Sequence, residues 1–326
     1  MTKIDIFSGF LGAGKTTLIK KLIAEAFRGE KLVLIENEFG EIAIDGGFLQ
    51  DAGIEITEMN SGCICCSLVG DFGKALQQVL AQFHPDRILI EPSGVGKLSD
   101  VIRAVQNLHM EDVVLNSFTT VADANKCKMY MKNFGEFYND QIEHANSIIL
   151  SRTAGLAQKK LDDCVALLRA HNETATIITT PWDALSGAQI LEAMEHRNTL
   201  DAELKQLEAE AHEHHHDHDG ACGCGHDHHH HDHHHADEVF TSWGVETTRK
   251  FTKEEIENAL AALSDSEKYG MILRAKGIVA GADGEWLHFD YVPEEASVRT
   301  GSAIVMGRLC VIGAKINEEA LKALFA

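Results

Sequence analysis

The chain has 326 residues, a formal net charge of −21 and 44% hydrophobic residues. This length predicts about two domains, and the hydrophobic content excludes wholesale disorder. The acidity argues against nucleic-acid binding by phosphate neutralisation and against adhesion to an anionic membrane surface. We see neither a secretory signal nor a run of about 18 uncharged apolar residues, and we therefore expect a cytoplasmic protein without a membrane span.

Residues 3 to 195 alternate short apolar runs with helix-length amphipathic stretches. This alternation predicts an α/β fold with a mostly parallel, doubly wound sheet. The predicted strands are Ile4–Phe7, Leu32–Ile35, Ile54–Thr57, Arg87–Ile90, Ser117–Val121, Ser147–Leu150 and Ala175–Thr179. The predicted helices are Lys15–Phe27, Asp71–Gln82, Leu98–Leu108, Ala157–Ala170 and Ser186–His196.

The composition changes after Thr199, where an acidic, His-rich stretch has no Lys or Arg between Lys205 and Arg249. Such a polar segment buries too little surface to offset its ordering entropy, which favours a disordered linker. A smaller α+β domain is predicted to follow. The predicted domains are 1–198, 199–238 and 239–326. The predicted C-terminal elements are a strand at Val239–Trp243, a helix at Lys253–Leu263, a hairpin of Ile272–Val279 and Glu285–Val292, a last strand at Ala303–Ile312 and a closing helix at Asn317–Phe325.

The first predicted strand leads into a sequence that fits the phosphate-binding pattern G-x-x-x-x-G-K-[ST] and opens a predicted helix. Its backbone N–H groups and the helix N-terminus suit a phosphate, the lysine reaches the β- and γ-phosphates, and the threonine hydroxyl ligates Mg²⁺. The strand and helix around the pattern disfavour a merely flexible glycine loop. The nucleotide-contacting candidates are Gly9, Gly12, Ala13, Gly14, Lys15, Thr16 and Thr17.

Two acidic segments are candidates to act beside this loop. Glu91 ends the strand that begins at Arg87, where a carboxylate can hold a Mg²⁺-bound water, although a solvated strand end is the alternative. Lys15 and Glu91 are the predicted catalytic residues. The segment around Glu38 and Glu41 follows the second strand and is either a polar loop or a mobile switch that senses the γ-phosphate.

Three cysteines lie within four residues, at Cys63, Cys65 and Cys66, just before a helix predicted from about Ser67. A helix N-terminus lowers the pKa of a thiol and favours the thiolate that binds Zn²⁺. Three sulfurs are one ligand short of a tetrahedral structural site, which suits a site that releases its metal or that another residue completes. Small buried residues in a turn are the alternative.

Three other cysteines stand alone. Cys164 and Cys310 fall in apolar patterns and are predicted to be core residues. Cys127 is also predicted to be a buried thiol, with an approach to the three-cysteine cluster as the alternative.

The linker contains 13 of the 19 histidines, interleaved with carboxylates and the pair Cys222 and Cys224. Neutral imidazole binds Zn²⁺, Ni²⁺, Co²⁺ and Cu²⁺, and nearby carboxylates gather cations. An internal tract interleaved with Asp is unlike a purification tag, so it predicts metal handling. Its ligand candidates are His214, His216, His218, Cys222, Cys224, His226 and His228.

Together these motifs resemble the CobW-type P-loop GTPases, a metallochaperone family with cobalamin-biosynthesis, nitrile hydratase-activator and zinc-transfer members. The resemblance rests on Gly-Phe-Leu-Gly-Ala-Gly-Lys-Thr-Thr, Asn-Glu-Phe-Gly-Glu, Cys-x-Cys-Cys and Glu-x-Ser-Gly. It implies that Lys15 and Thr16 bind phosphate and Mg²⁺, and that Glu91 is the acidic strand-end residue. It also implies that Cys63, Cys65 and Cys66 form the metal site, with Glu38 as a possible fourth ligand.

The chain departs from that family at the guanine-reading Asn-Lys-x-Asp, which here reads Ser151-Arg152-Thr153-Ala154. Ala154 cannot accept the hydrogen bonds of a guanine, and losing such a contact weakens base discrimination by roughly 1–3 kcal/mol. Arg152 can still stack on a purine. The resemblance therefore implies that the chain binds GTP, and ATP is the alternative nucleotide.

The resulting hypothesis is a nucleotide-dependent metallochaperone that needs Mg²⁺ with GTP or ATP and carries Zn²⁺, with Co²⁺ or Ni²⁺ as alternatives. Nucleotide binding would order the switch, and hydrolysis would change the thiolate site and deliver the ion to a client metalloprotein. A homodimer is possible. A metal-buffering or sensing nucleotide switch without transfer and a P-loop kinase of a small molecule are the competing hypotheses.

Overall fold

The computed structural model describes residues 1–36, 55–58, 69–107, 110, 112–195 and 241–326, with the backbone alone described within 55–75. The chain divides into two compact units, Met1–Arg197 and Asn198–Ala326. None of the described helices is both long and apolar enough to cross a bilayer.

The first unit is built on a seven-stranded sheet in which every described strand pair is parallel. Its order is β3-β2-β4-β1-β5-β6-β7. The strands are β1 (Thr2–Ser8), β2 (Leu32–Glu36), β3 (Glu55–Glu58), β4 (Arg87–Glu91), β5 (Val113–Asp123), β6 (Ser147–Ser151) and β7 (Thr176–Ile178). Continuous apolar runs such as Ile88–Ile90 are fully buried, as expected where both faces of a sheet are covered.

Five of the described helices each connect one strand of this sheet to the next, and a sixth follows β7, which confirms the predicted doubly wound α/β architecture. They are α1 (Lys15–Glu25), α2 (Val69–Phe83), α3 (Leu98–Gln106), α4 (Cys127–Glu143), α5 (Gln158–His171) and α6 (Gly187–Met194). The sheet order reverses at β1, so the crevice at the carboxyl ends of β1, β4 and β5 is the place where such sheets bind ligands.

Helix α4 was absent from the predicted elements, and the structure corrects that omission. Its apolar face is interrupted because Phe134 adopts a non-helical backbone, with φ −134° and ψ 29°. The residues that it buries, including Tyr130 and Tyr138, are partly polar, so the periodic signal of a helix is weak in the sequence.

At the amino ends of the strands a buried charge network ties β1 to β4. The guanidinium of Arg87, 2% exposed, pairs with the fully buried Asp5, and its Nε donates to Glu30 at 2.6 Å. It also lies 4.5 Å from the ring centroid of Phe27. Asp5 additionally accepts from Ser117 at 2.7 Å. The residues of this network are far apart in the sequence but in contact in the structure. They hold together the edge of the sheet opposite the crevice.

The second unit is a six-stranded sheet with the order β12-β11-β10-β13-β8, and β9 pairs with β10. Its elements are β8 (Thr241–Thr247), β9 (Lys250–Phe251), α7 (Lys253–Ala262), α8 (Ser266–Tyr269), β10 (Met271–Gly281), β11 (Trp286–Val292), β12 (Glu295–Gly301), β13 (Gly307–Ala314) and α9 (Glu318–Leu324). The predicted α+β class and the β10–β11 hairpin are confirmed.

The predicted last strand, Ala303–Ile312, was wrong in its first half. Strand β13 begins at Gly307, and a separate strand, β12, precedes it and pairs with β11. Strand β12 is almost wholly exposed at the edge of the sheet, so it carries few apolar residues and gave no hydrophobic pattern to find.

Candidate nucleotide-binding site

The loop between β1 and α1 is shaped by glycines. Gly9 has φ +142°, and a Cβ atom on it would lie 2.3 Å from the carbonyl oxygen of Val121 on the neighbouring strand. Gly14 is the N-cap of α1 and has no side chain to accept from the first turn. The loop therefore lies close against the sheet and leaves the N-terminal N–H groups of α1 uncapped by the N-cap residue, which suits an anion.

Three side chains converge where β4 ends beside α1. The hydroxyl of Thr16 donates to Glu91 Oε1 at 3.1 Å, and Lys15 Nζ lies 3.8 Å from the same oxygen. Lys15 Nζ also donates to the carbonyl oxygen of Gly9 at 3.1 Å. Lys15 and Glu91 are 9% and 7% exposed. A buried ammonium group suits a phosphate, and a hydroxyl beside a carboxylate suits the Mg²⁺ ion that accompanies it.

A second charged pair closes the loop from the side of β5 and β6. The guanidinium of Arg152 pairs with Asp123, and its other terminal nitrogen donates to the carbonyl oxygen of Gly12 at 3.0 Å. Arg152 adopts φ +58°, and its side chain is 53% exposed while that of Asp123 is 1% exposed. The arginine thus holds the phosphate loop and keeps one face of its side chain open to solvent.

Lys15, Glu91 and Arg152 line one cavity of about 560 Å³. The loop before α1, the start of α1 and the segment that follows Glu91 line it as well. Of the predicted nucleotide residues, Gly12, Gly14, Thr16 and Thr17 line this cavity too. Its volume and its lysine, hydroxyl and carboxylate groups fit a nucleotide.

Two residues of this region were not found in the sequence. Asp123 is the last residue of a buried strand. Glu91 was identified by the same position at a strand end, so this signal could also have identified Asp123. Trp182 gave no signal because its role depends on tertiary structure. Its indole Nε1 donates to the carbonyl oxygen of Leu150 at 3.0 Å, and a Cβ on Gly14 would lie 3.3 Å from its ring.

The predicted metal ligands cannot be placed in the same way. Glu38, the Cys63, Cys65 and Cys66 cluster and the whole His-rich tract lie outside the described residues. Across residues 1–36, 76–107, 112–195 and 241–326, no group of three or more His, Cys, Asp or Glu side chains is arranged to hold a metal ion. The three cysteines outside the predicted metal sites, Cys127, Cys164 and Cys310, are buried as predicted.

Comparison with known proteins gives two family matches. The CobW/HypB/UreG nucleotide-binding domain matches residues 3–179, and the C-terminal domain of the cobalamin synthesis protein CobW matches residues 240–326.

Among curated relatives, the chain is 33% identical over 154 residues to the zinc chaperone YeiR of Escherichia coli, covering 47% of each chain. It is 31% identical over 183 residues to the zinc chaperone YjiA of the same organism, covering 53% of this chain and 57% of the relative. A zinc-regulated GTPase metalloprotein activator of Schizosaccharomyces pombe is 27% identical over 212 residues, covering 61% of this chain and 51% of the relative. The chain thus spans about half the length of these relatives.

Proposed function

This chain belongs to the CobW/HypB/UreG family, and from that premise we propose that it is a P-loop nucleoside triphosphatase that handles a transition metal. The observation that carries the proposal is the buried cluster of Lys15, Thr16 and Glu91 beside an uncapped helix N-terminus. A cluster of this kind neutralises phosphate charge and positions a hydrated divalent ion.

Each of these residues has a distinct task. Lys15 binds the β- and γ-phosphates, and its contact with the Gly9 carbonyl keeps the ammonium over the loop. Thr16 and Glu91 would hold Mg²⁺, and their present hydrogen bond sets the hydroxyl and carboxylate side by side. Mg²⁺, when bound, neutralises charge that develops on the phosphates. Glu91 also orients water for hydrolysis.

The base we propose is guanine, as in the relative named a GTPase. Arg152 follows β6 directly, lines the cavity and leaves about half of its side chain exposed, which supports a role in stacking on a purine. Ala154 is exposed and offers no carboxylate, so discrimination against adenine is weaker than in a site with an aspartate there.

The metal we propose is Zn²⁺, because the curated relatives named above are zinc chaperones and a zinc-regulated activator. Cys63, Cys65 and Cys66 are the proposed ligands, with Glu38 as a candidate fourth. The His-rich tract supplies a reservoir, because its imidazoles and carboxylates bind late first-row cations. Co²⁺ and Ni²⁺ are the alternative ions.

Nucleotide and metal are proposed to act on each other. Glu36 at the end of β2 pairs in register with Glu91 on β4 and with Glu58 on β3, and Cys63 follows Glu58 by five positions in the sequence. This neighbourhood of strand ends supports coupling between the γ-phosphate and the thiolates. Delivery to a client metalloprotein, a cytoplasmic location and a homodimer stay predictions. A nucleotide switch that buffers or senses metal without transfer is the competing function.

Equilibrium binding of GTP and ATP, each with and without Zn²⁺, tests this proposal. Wild type is compared with Lys15→Ala, Cys65→Ala and a variant lacking residues 212–235. Lys15→Ala should weaken nucleotide binding roughly 10- to 100-fold through the loss of charge-assisted hydrogen bonds. The matched control Lys159→Ala removes an exposed lysine from α5 and should leave binding unchanged. Wild-type nucleotide affinity in Lys15→Ala would refute the assignment of the cavity.

A mixing assay with an apo-metalloenzyme separates delivery from buffering. Transfer that is faster with GTP than with its non-hydrolysable analogue supports delivery. Equal rates with both nucleotides support the competing function.

A further inference from the structure

Two buried thiols of the first unit contact each other. Cys127 opens α4, Cys164 lies in α5, and their Sγ atoms are 3.1 Å apart although 37 positions separate them in the chain. The residues are 2% and 3% exposed. A disulfide has an S–S distance of about 2.05 Å, so bond formation requires the sulfurs to approach by only about 1 Å.

The two thiols have different environments. Tyr138 donates its hydroxyl hydrogen to Cys127 Sγ at 3.1 Å. The hydrogen bond from Cys164 lowers the pKa of the Cys127 thiol and Tyr138 adds to this effect, while burial opposes it. The same thiol contact together with burial raises the pKa of Cys164. The lowered pKa and the hydrogen bond from Tyr138 favour Cys127 over Cys164 as the attacking thiol.

The pair is connected to the phosphate loop through one short path. Cys127 Sγ contacts the backbone carbonyl oxygen of Asp123 at 3.3 Å. The carboxylate of Asp123 pairs with Arg152, which donates to the carbonyl oxygen of Gly12. A movement of the start of α4 toward α5 therefore acts on the residue that holds Arg152 over the loop.

We propose that Cys127 and Cys164 are a redox-sensitive dithiol that a peroxide converts to a disulfide, and that this modification changes nucleotide affinity. The Cys127 thiolate attacks the O–O bond of hydrogen peroxide and gives a sulfenic acid and hydroxide. Cys164 then attacks that sulfur, and the hydroxyl leaves as water after taking up the Cys164 proton. Both thiols are oxidised, one peroxide is reduced, and the net products are one disulfide and two waters.

Burial of the pair makes its reaction depend on local opening of the fold. Nucleotide stabilises the region that must open, so bound nucleotide slows the oxidation. At equilibrium the two effects are reciprocal. If the disulfide changes the nucleotide affinity by some factor, bound nucleotide changes the equilibrium constant of disulfide formation by the same factor. The second half of the proposal rests on the proposed nucleotide binding, whereas disulfide formation does not.

Peptide mass spectrometry of the full-length protein after hydrogen peroxide treatment tests the first half. Trypsin cleaves after Lys126, Lys128, Lys160 and Arg169, so the disulfide appears as Cys127-Lys128 joined to Leu161–Arg169. We expect this linked peptide in native protein, its loss on reduction with dithiothreitol, and its absence in Cys164→Ser. In that variant Cys127 should stop at the sulfenic acid and react with dimedone.

A linked peptide that forms only after denaturation, or Cys127 joined instead to a different cysteine, would overturn the proposal. The wild-type measurement needs no variant, so poor folding of Cys164→Ser leaves the result decisive. Cys310→Ser, a buried thiol of the second unit, is the matched control and should oxidise at Cys127 like wild type.

Nucleotide titration of the reduced and oxidised wild-type protein tests the second half. We expect the affinities to differ by about fivefold or more, and the difference to disappear in Cys164→Ser. A disulfide that forms without changing nucleotide affinity would refute the coupling and leave the modification site standing. Reduced protein that binds no nucleotide would instead refute the proposed function.

Discussion

Substituting Gly9 by alanine tests the geometry of the phosphate loop, and Gly12→Ala is its matched control. At Gly9 the φ of +142° is a region that side chains avoid, at a cost of about 1–3 kcal/mol. The new Cβ would also lie 2.3 Å from the Val121 carbonyl oxygen, and relieving such overlap costs about 1–3 kcal/mol more. The sum is about 2–6 kcal/mol.

At Gly12 only the backbone conformation opposes alanine. Its φ is +68°, and a Cβ there meets nothing within 4 Å, so the expected cost is about 1–2 kcal/mol. The Val121 carbonyl cannot move freely, because β5 is hydrogen-bonded between β1 and β6. Gly9→Ala should therefore destabilise the first unit by clearly more than Gly12→Ala does.

Amide hydrogen exchange in increasing urea measures this difference. Peptides from β1 and β4 report the first unit, and peptides from β10 and β13 report the second unit as an internal reference. We expect protection of β1 to fall at lower urea in Gly9→Ala than in Gly12→Ala, with the reference unchanged. Equal losses in the two variants would refute the close packing of the loop against β5.

Three further predictions concern charge. Arg87→Met should lower the free energy of unfolding by about 3–5 kcal/mol, because the carboxylate of Asp5 stays buried without its guanidinium partner. Unfolding in urea measures this loss. Hydrogen bonding from Lys21, and then from a backbone N–H, lowers the pKa of Glu25. Its stabilising effect is therefore complete above the ordinary carboxyl pKa of about 4.3 and is lost as pH falls through the lowered value, so Glu25→Gln should flatten the acid limb of the stability profile. Ala154→Asp should raise the preference for GTP over ATP about 10-fold or more in competition binding.

Each of these has a control or a contradicting result. Arg103→Ala breaks an exposed pair with Asp100 and should change stability by about 0–1 kcal/mol, so a similar loss in both arginine variants would contradict the buried network. An acid limb that is unchanged in Glu25→Gln would contradict the pKa assignment. An unchanged preference for GTP over ATP in Ala154→Asp would contradict the placement of the nucleotide base beside residue 154.

Much of the candidate nucleotide site could be predicted because its signals are local. The phosphate loop is a contiguous pattern between a strand and a helix, and Glu91 ends a run that is recognisably a buried strand. The structure places Lys15, Thr16 and Glu91 together as those signals predict.

The rest depends on contacts between distant residues. Arg152 was expected to face a base, and its additional contacts with Asp123 and Gly12 arise only when β5, β6 and the loop come together. The approach of Cys127 to Cys164 likewise needs α4, a helix whose irregular backbone at Phe134 breaks the pattern by which helices are found.

Nucleotide state is proposed to control metal affinity, and a Zn²⁺ titration tests this coupling. Zn²⁺ affinity of the full chain is measured without nucleotide, with GDP and with a non-hydrolysable GTP analogue, with Mg²⁺ present throughout and Lys15→Ala as the uncoupled control. We expect the Zn²⁺ affinity of wild type to differ by about fivefold or more between the diphosphate and triphosphate states, and Lys15→Ala to show no difference. A single Zn²⁺ affinity in all three wild-type states would refute the coupling.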